Sequence, residues 1–151
     1  MTPTAPNFGF LVADTARLLR RDFDRRARNT GLSRAQWSVL ARLARHEGLK
    51  QAELADLLEM QPISLARHID RLEARGCVER RADANDRRAN RLFLTATAGP
   101  LMQQLQLLGQ QTRAQAMNGI ADEHQQLLCQ VLDQIRDNLA QCGQVTQENL
   151  S

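Results

Sequence analysis

The sequence predicts a mainly α fold interrupted by one short β-hairpin, and three observations predict it. Apolar residues recur at helical spacing through most of the 151 residues. Glycines at positions 31, 48, 76 and 119 punctuate these runs where helices would end. Only between Cys77 and Leu94 does the period change to two, with Val78 and Arg80 alternating against Cys77 and Glu79, and Leu92 and Leu94 against Arg91 and Phe93. Hydrophobic residues make up 42% of the chain, enough for a real core, and the length suits a single domain spanning 1–151.

Each element has its own justification. From about Phe8 to Asn29, Val12, Ala16, Leu19, Phe23 and Ala27 share one helical face, widened by Leu11 and Leu18. The opposite face carries Arg17, Arg20, Arg21, Asp24 and Arg28 as a solvated, charge-paired surface. Ser33 followed by Gln36 is a capping-box signature for a second helix with Trp37, Leu40, Leu43 and Ala44 inward. A short third helix over Gln51–Leu58 turns Leu54, Ala55 and Leu58 inward. Glu59 stands in the tight turn that follows, where glycine is often found, and if it takes a left-handed conformation the cost is about 1–2 kcal/mol.

Pro62 suits the first turn of the fourth helix, where a missing N–H costs nothing. Ile63, Ala66, Ile69 and Leu72 are the expected buried stripe, leaving Gln61, Ser64, Arg67, His68 and Arg71 outward. These outward side chains can hydrogen-bond base edges and phosphate oxygens. After Gly76 the two strands flank ADANDRRAN, a polar loop whose tip carries Arg87 and Arg88. Two short helices in a tight turn followed by a hairpin form a winged helix-turn-helix, expected over about 33–97. Thr95 or Thr97 is expected to cap the next helix, with Leu101, Leu105, Leu108 and Thr112 on one face. Asp122 and Gln125 open a last helix whose inward residues are Leu128, Val131, Leu132, Ile135, Leu139 and Cys142. Stripes this long exceed what one winged helix can cover, so pairing with the first helix and with another chain is expected.

The net charge of +3 is modest, but its distribution is informative. Between Gln61 and Thr95, eight arginines (67, 71, 75, 80, 81, 87, 88, 91) face five acids (70, 73, 79, 83, 86), so that window holds the whole excess. Lys50 is the only lysine. Cys77, Cys129 and Cys142 are odd in number and far apart, which argues for inert buried thiols. With His46, His68 and His124 they make no zinc spacing, and neither metal nor cofactor is expected. The amino terminus lacks a signal-peptide pattern and no run is long enough to span a membrane, so a cytoplasmic location is expected. No nucleophile–base grouping, phosphate-cradling glycine loop or paired carboxylate site suggests an enzyme.

The order of elements and three local runs, LSRAQWSVL, QAELADLLEMQPISLARHIDRLEARGCVERR and DRRANRLFLTATAGPLM, resemble the MarR family of transcription regulators, in its SlyA-like branch. The resemblance covers about Leu11 to Ala140, with DRR and the following LT pair as the wing signature. It implies a homodimer, held by helices at about 8–29 and 98–143, on a pseudo-palindromic double-stranded operator. Pro62, Ser64, Arg67 and His68 would face the major groove, with Gln61 and Arg71 beside them. Arg88 would enter the minor groove, Arg87 would contact phosphate, Arg91 would join the DNA-binding residues, and Asp86 would brace the wing. It also implies release by a small aromatic or phenolic acid, for which Arg17, Trp37 and His46 are candidate pocket residues. The competing reading is a winged-helix module that binds a ligand or a protein without binding DNA.

Overall fold

The structure, a computed structural model, describes residues 7–148 and side chains as far as residue 141. The mainly α class is observed. Among the described residues the order is α1 (Phe8–Ala27), α2 (Arg34–Arg45), α3 (Gln51–Leu57), α4 (Pro62–Ala74), β1 (Val78–Ala82), β2 (Asn90–Leu94), α5 (Gly99–Ala116) and α6 (Asp122–Glu148). They fall into two compact units divided after Thr112.

The core of the first unit gathers Leu40 and Leu43 of α2, Leu54 and Ala55 of α3, Leu65, Ile69 and Leu72 of α4, Val78, Leu92 and Leu105. Fully burying each large aliphatic contributes about 1.5–3 kcal/mol. On α2, Ser33 and Gln36 make the expected capping box, the Gln36 amide donating to Ser33 Oγ at 3.2 Å and the Ser33 amide to Gln36 Oε1 at 2.9 Å. Val39 is buried there and the expected Ala44 is exposed.

The stripe of α4 is rotated from the expected one. Leu65, Ile69 and Leu72 are fully buried, whereas Ile63 is 65% exposed. At about 100° per residue, Leu65 to Ile69 closes to within about 40°, but steps of three back from Ile69 drift by about 60° each and carry Ile63 off the face. Glu59 does take the left-handed conformation, with φ 51°, where the chain turns from α3 to α4.

Asp24 was expected on the solvated face of α1. Instead it accepts from Trp37 Nε1 at 3.2 Å and Arg34 Nε at 2.7 Å, while Phe23 packs on the Trp37 ring at 4.5 Å. The indole is thus a half-buried anchor between α1 and α2. Thr95 and Thr97 make no side-chain cap. Both hydroxyls donate to the carbonyl of Gly76, which closes α4 with φ 70°, and so latch the end of the hairpin to the end of that helix.

Leu105 and Thr112 lie on the buried face of α5, as expected. Thr112 Oγ1 donates to Asp22 Oδ2 at 3.0 Å, and Arg26 Nε donates to the same oxygen at 2.6 Å. The Arg26 hydrogen bond, with help from Thr112 and Arg25, lowers the Asp22 carboxyl to about 2. Because the folded value is depressed, the ionised group stabilises the fold above the unfolded value near 3.9 and loses that contribution as pH falls through about 2. The melting-temperature gap between wild type and Asp22→Asn should therefore be widest near neutrality and shrink between pH about 4 and about 2. A gap unchanged across that range would remove Asp22 from the acid response.

The second unit contains α6. The Gln125 amide donates to the Ala121 carbonyl and the Gln125 side chain to the Ile120 carbonyl, so Asp122 lies inside the first turn and forms no capping box with Gln125. Leu128, Val131, Leu132 and Leu139, expected inward, are exposed in the single chain, Ile135 is half-buried, and Leu127 is exposed beside them. The helical period holds along α6. Cys77 is buried as expected and Cys129 is exposed, while the Cys142 side chain lies outside the described residues. Among the described residues no helix is long and apolar enough to cross a membrane.

Candidate nucleic-acid interface

With Leu65, Ile69 and Leu72 turned into the core, α4 presents Gln61, Pro62, Ser64, Arg67 and Arg71 to solvent. His68 lies at the edge of that face. It is half-buried, and its Nδ1 is enclosed without a hydrogen-bond partner among the described residues, so it is less available than expected. The amino end of α4 carries Pro62 at its first position and no acidic residue in its first turn, leaving the positive end of the helix dipole uncompensated by a side chain.

The hairpin is antiparallel, with Val78 opposite Leu94 and Ala82 opposite Asn90. A third short segment supports it, since the amides of Gly48 and Leu92 donate to the carbonyls of Leu92 and Leu49, each at 2.9 Å. The loop is built around Asp83, whose side chain is 1% exposed. Asp83 Oδ1 accepts from the amides of Asn85 at 2.8 Å and Asp86 at 3.1 Å, and Oδ2 accepts from Arg91 Nε. The Asn85 amide and the Arg91 guanidinium hold the Asp83 carboxyl below the ordinary carboxylate range. Asp86 Oδ1 accepts from the Arg88 amide at 3.0 Å within the tip of the loop. Asp83 was missed in the sequence, although Asp-Ala-Asn-Asp is the composition of a side-chain-closed turn.

The charges of this window divide cleanly. Arg80 bridges Asp70 at 2.8 Å and Glu73 at 3.1 Å and donates to Gln51 Oε1, tying β1 to α3 and α4. Arg75 donates to the carbonyls of Gly31 and Thr30. Arg81 pairs with Glu79 and lies 4.0 Å above the Phe93 ring. Arg91, expected to contact DNA, is drawn inward by Asp83 and by the Gly48 carbonyl at 2.8 Å, so it is a strut of the wing. Among the described residues, Arg67, Arg71, Arg87 and Arg88 enter no ion pair, and all four are exposed. Four cations on one helix face and one loop tip form a surface suited to phosphate oxygens and base edges.

Among the described residues no hydrogen bond, ion pair or ring contact joins the candidate ligand residues to one another. Arg17 is exposed and lies 3.6 Å from Asp14, Trp37 is turned to Phe23 and Asp24, and His46 is exposed at the end of α2. A shallow cavity in the first unit is lined instead by Leu18, Arg21, Asp22, Asp24, Arg25 and Arg28.

A tight pair of helices with a braced two-stranded hairpin after the second defines the winged helix-turn-helix class. Comparison with known proteins narrows this. The MarR family model matches residues 30–89. The transcriptional regulator PA3341 is 41% identical, with 89% of this chain and 98% of that one covered and a TM-score of 0.78. A MarR transcriptional regulator from Methanosarcina mazei Go1 is 24% identical, with 89% and 96% covered and a TM-score of 0.80, and shares the fold. The transcriptional regulator SlyA shares it too, at 23% identity, 89% and 95% coverage and a TM-score of 0.74. The chain belongs to the MarR family, and its fold is that of a MarR-type transcriptional regulator.

Proposed function

We propose that two copies of this chain form a homodimer that binds a pseudo-palindromic duplex operator, each α4 reading a major groove and each wing, residues 82–90, entering the adjacent minor groove. One observation carries the DNA-binding half: the window's other arginines are consumed by internal partners, while Arg67, Arg71, Arg87 and Arg88 stay exposed and unpaired among the described residues. Arg67 is suited to a bidentate contact with guanine, and Arg88, at a tip fixed by Asp86, to a narrow A·T-rich minor groove. Dimerisation is supported by the exposed apolar residues of α1 and α6, among them Phe8, Phe10, Leu11, Leu128 and Leu132. Release by a small aromatic acid rests on the family resemblance alone. A DNA-bound role is also the basis for a cytoplasmic location.

Selection from random duplex DNA tests this reading. A two-fold symmetric motif should emerge, with half-sites about 34 Å apart. Affinity should fall steeply as salt rises, through release of counterions. Arg67→Ala should relax one guanine position by about 1–3 kcal/mol, and Arg88→Ala should weaken binding. If both variants stay folded and bind as tightly as wild type, the interface is elsewhere. A selection that enriches no motif favours a ligand- or protein-binding module instead.

A further inference from the structure

We infer that Ile63 is a specificity residue that reads a thymine methyl group in the major groove, close to the base read by Arg67. This rests on the DNA-binding role proposed above. Its own support is structural: a large aliphatic side chain at the second position of α4 is 65% exposed, although the core of the same helix takes Leu65, Ile69 and Leu72. Ile63 has exposed polar neighbours in Gln61 and Ser64 and, one turn on, Arg67.

Residues four apart stand one above the other on a helix, so Ile63 and Arg67 share a face. Their spacing along the axis is about 6 Å, or about two base steps of about 3.4 Å. The side chain of Ile63 has no donor or acceptor. In a major groove the apolar feature that best matches it is the C5-methyl of thymine, since the cytosine C5–H at the same place offers much less area and the N7, O6, O4, N4 and N6 edge groups all hydrogen-bond. Arg67 would thus select guanine by hydrogen bonds, and Ile63 a thymine about two steps away by exclusion of water. Exposure of this residue costs the folded protein little by itself and becomes useful only against such a surface.

The test uses the operator selected by the wild-type full-length chain, with deoxyuridine replacing thymidine, one position at a time, in both half-sites. At one position within about two base pairs of the Arg67-dependent guanine, loss of the methyl should weaken wild-type binding about three- to fivefold per half-site. Ile63→Ala should bind the thymidine and deoxyuridine operators alike while keeping its guanine preference and its melting temperature. Wild-type binding indifferent to every such replacement, or an Ile63→Ala protein that keeps the full methyl preference, overturns the inference and leaves DNA binding intact. Failure to select any operator overturns both.

Discussion

Replacing Asp83 by alanine is expected to cost about 2–3 kcal/mol of stability and to weaken DNA binding at least about tenfold, although Asp83 itself touches no solvent-facing surface. Its carboxylate accepts from two backbone amides of the loop and from Arg91, and those three bonds shape the turn that projects Arg87 and Arg88. Hydrogen bonds to a charged group contribute about 1.5–3 kcal/mol each, and removing one member of a buried pair costs about 3–5 kcal/mol. The cost here falls below the sum because the Arg91 side chain is 41% exposed and can turn to water. Asp83→Asn keeps an acceptor for the two amides and gives up the charge, so it should fall between alanine and wild type. Its sign with pH is fixed. The folded carboxyl is depressed, so the advantage of wild type over Asp83→Asn is present above the ordinary carboxylate value and disappears as pH falls through the depressed one. Urea melts and operator titrations measure both effects. An Asp83→Ala protein with wild-type stability and affinity would mean that the loop holds its shape by other means.

Helix boundaries were legible because they are written in local chemistry: the Ser33–Gln36 box, Pro62 at the first turn of α4, and glycines with positive φ at 31, 48, 76 and 119. The hairpin was legible from its change of period. Rotation of α4 was not, since Ile69 and Leu72 belong equally to a stripe through Ile63 and to one through Leu65. Only the packing of α2, α3 and the hairpin against the helix decides between them, and it takes Leu65. The same limit applies to charge. Eight arginines in a window read as one basic patch, but Arg75, Arg80 and Arg91 find partners in other elements and Arg81 pairs with Glu79 of its own strand, and no local pattern announces contacts such as Arg91 to Gly48 across 43 positions. What survives is smaller and better defined than the patch: Arg67 and Arg71 on the helix, Arg87 and Arg88 at the tip.

Leu132→Glu combined with Leu139→Glu is expected to leave a folded chain that sediments as a monomer and binds the full operator at least about a hundredfold more weakly. Leu128, Leu132, Ile135 and Leu139 follow a 4-3-4 spacing, the seam of two packed helices, yet in the single chain three of them are exposed and Ile135 is half-buried. Two glutamates there cost the isolated chain little, because the side chains they replace already face water. Across a subunit interface each would be a buried, unpaired charge, and removing one partner of such a contact from water is penalised by several kcal/mol. The loss on DNA is then an effect of valency. Joining two reading heads makes the second half-site an intramolecular event at an effective concentration near millimolar, which accounts for about 10²–10⁴ in affinity with no new contact. The comparison that isolates this uses a single half-site. There the double variant and wild type should bind alike, since α4 and the wing are untouched, whereas on the full operator they should separate by that factor and the variant's salt slope should fall by about half. A double variant that remains dimeric would move the interface away from α6, and a monomer that binds the full operator as wild type does would show that one reading head suffices.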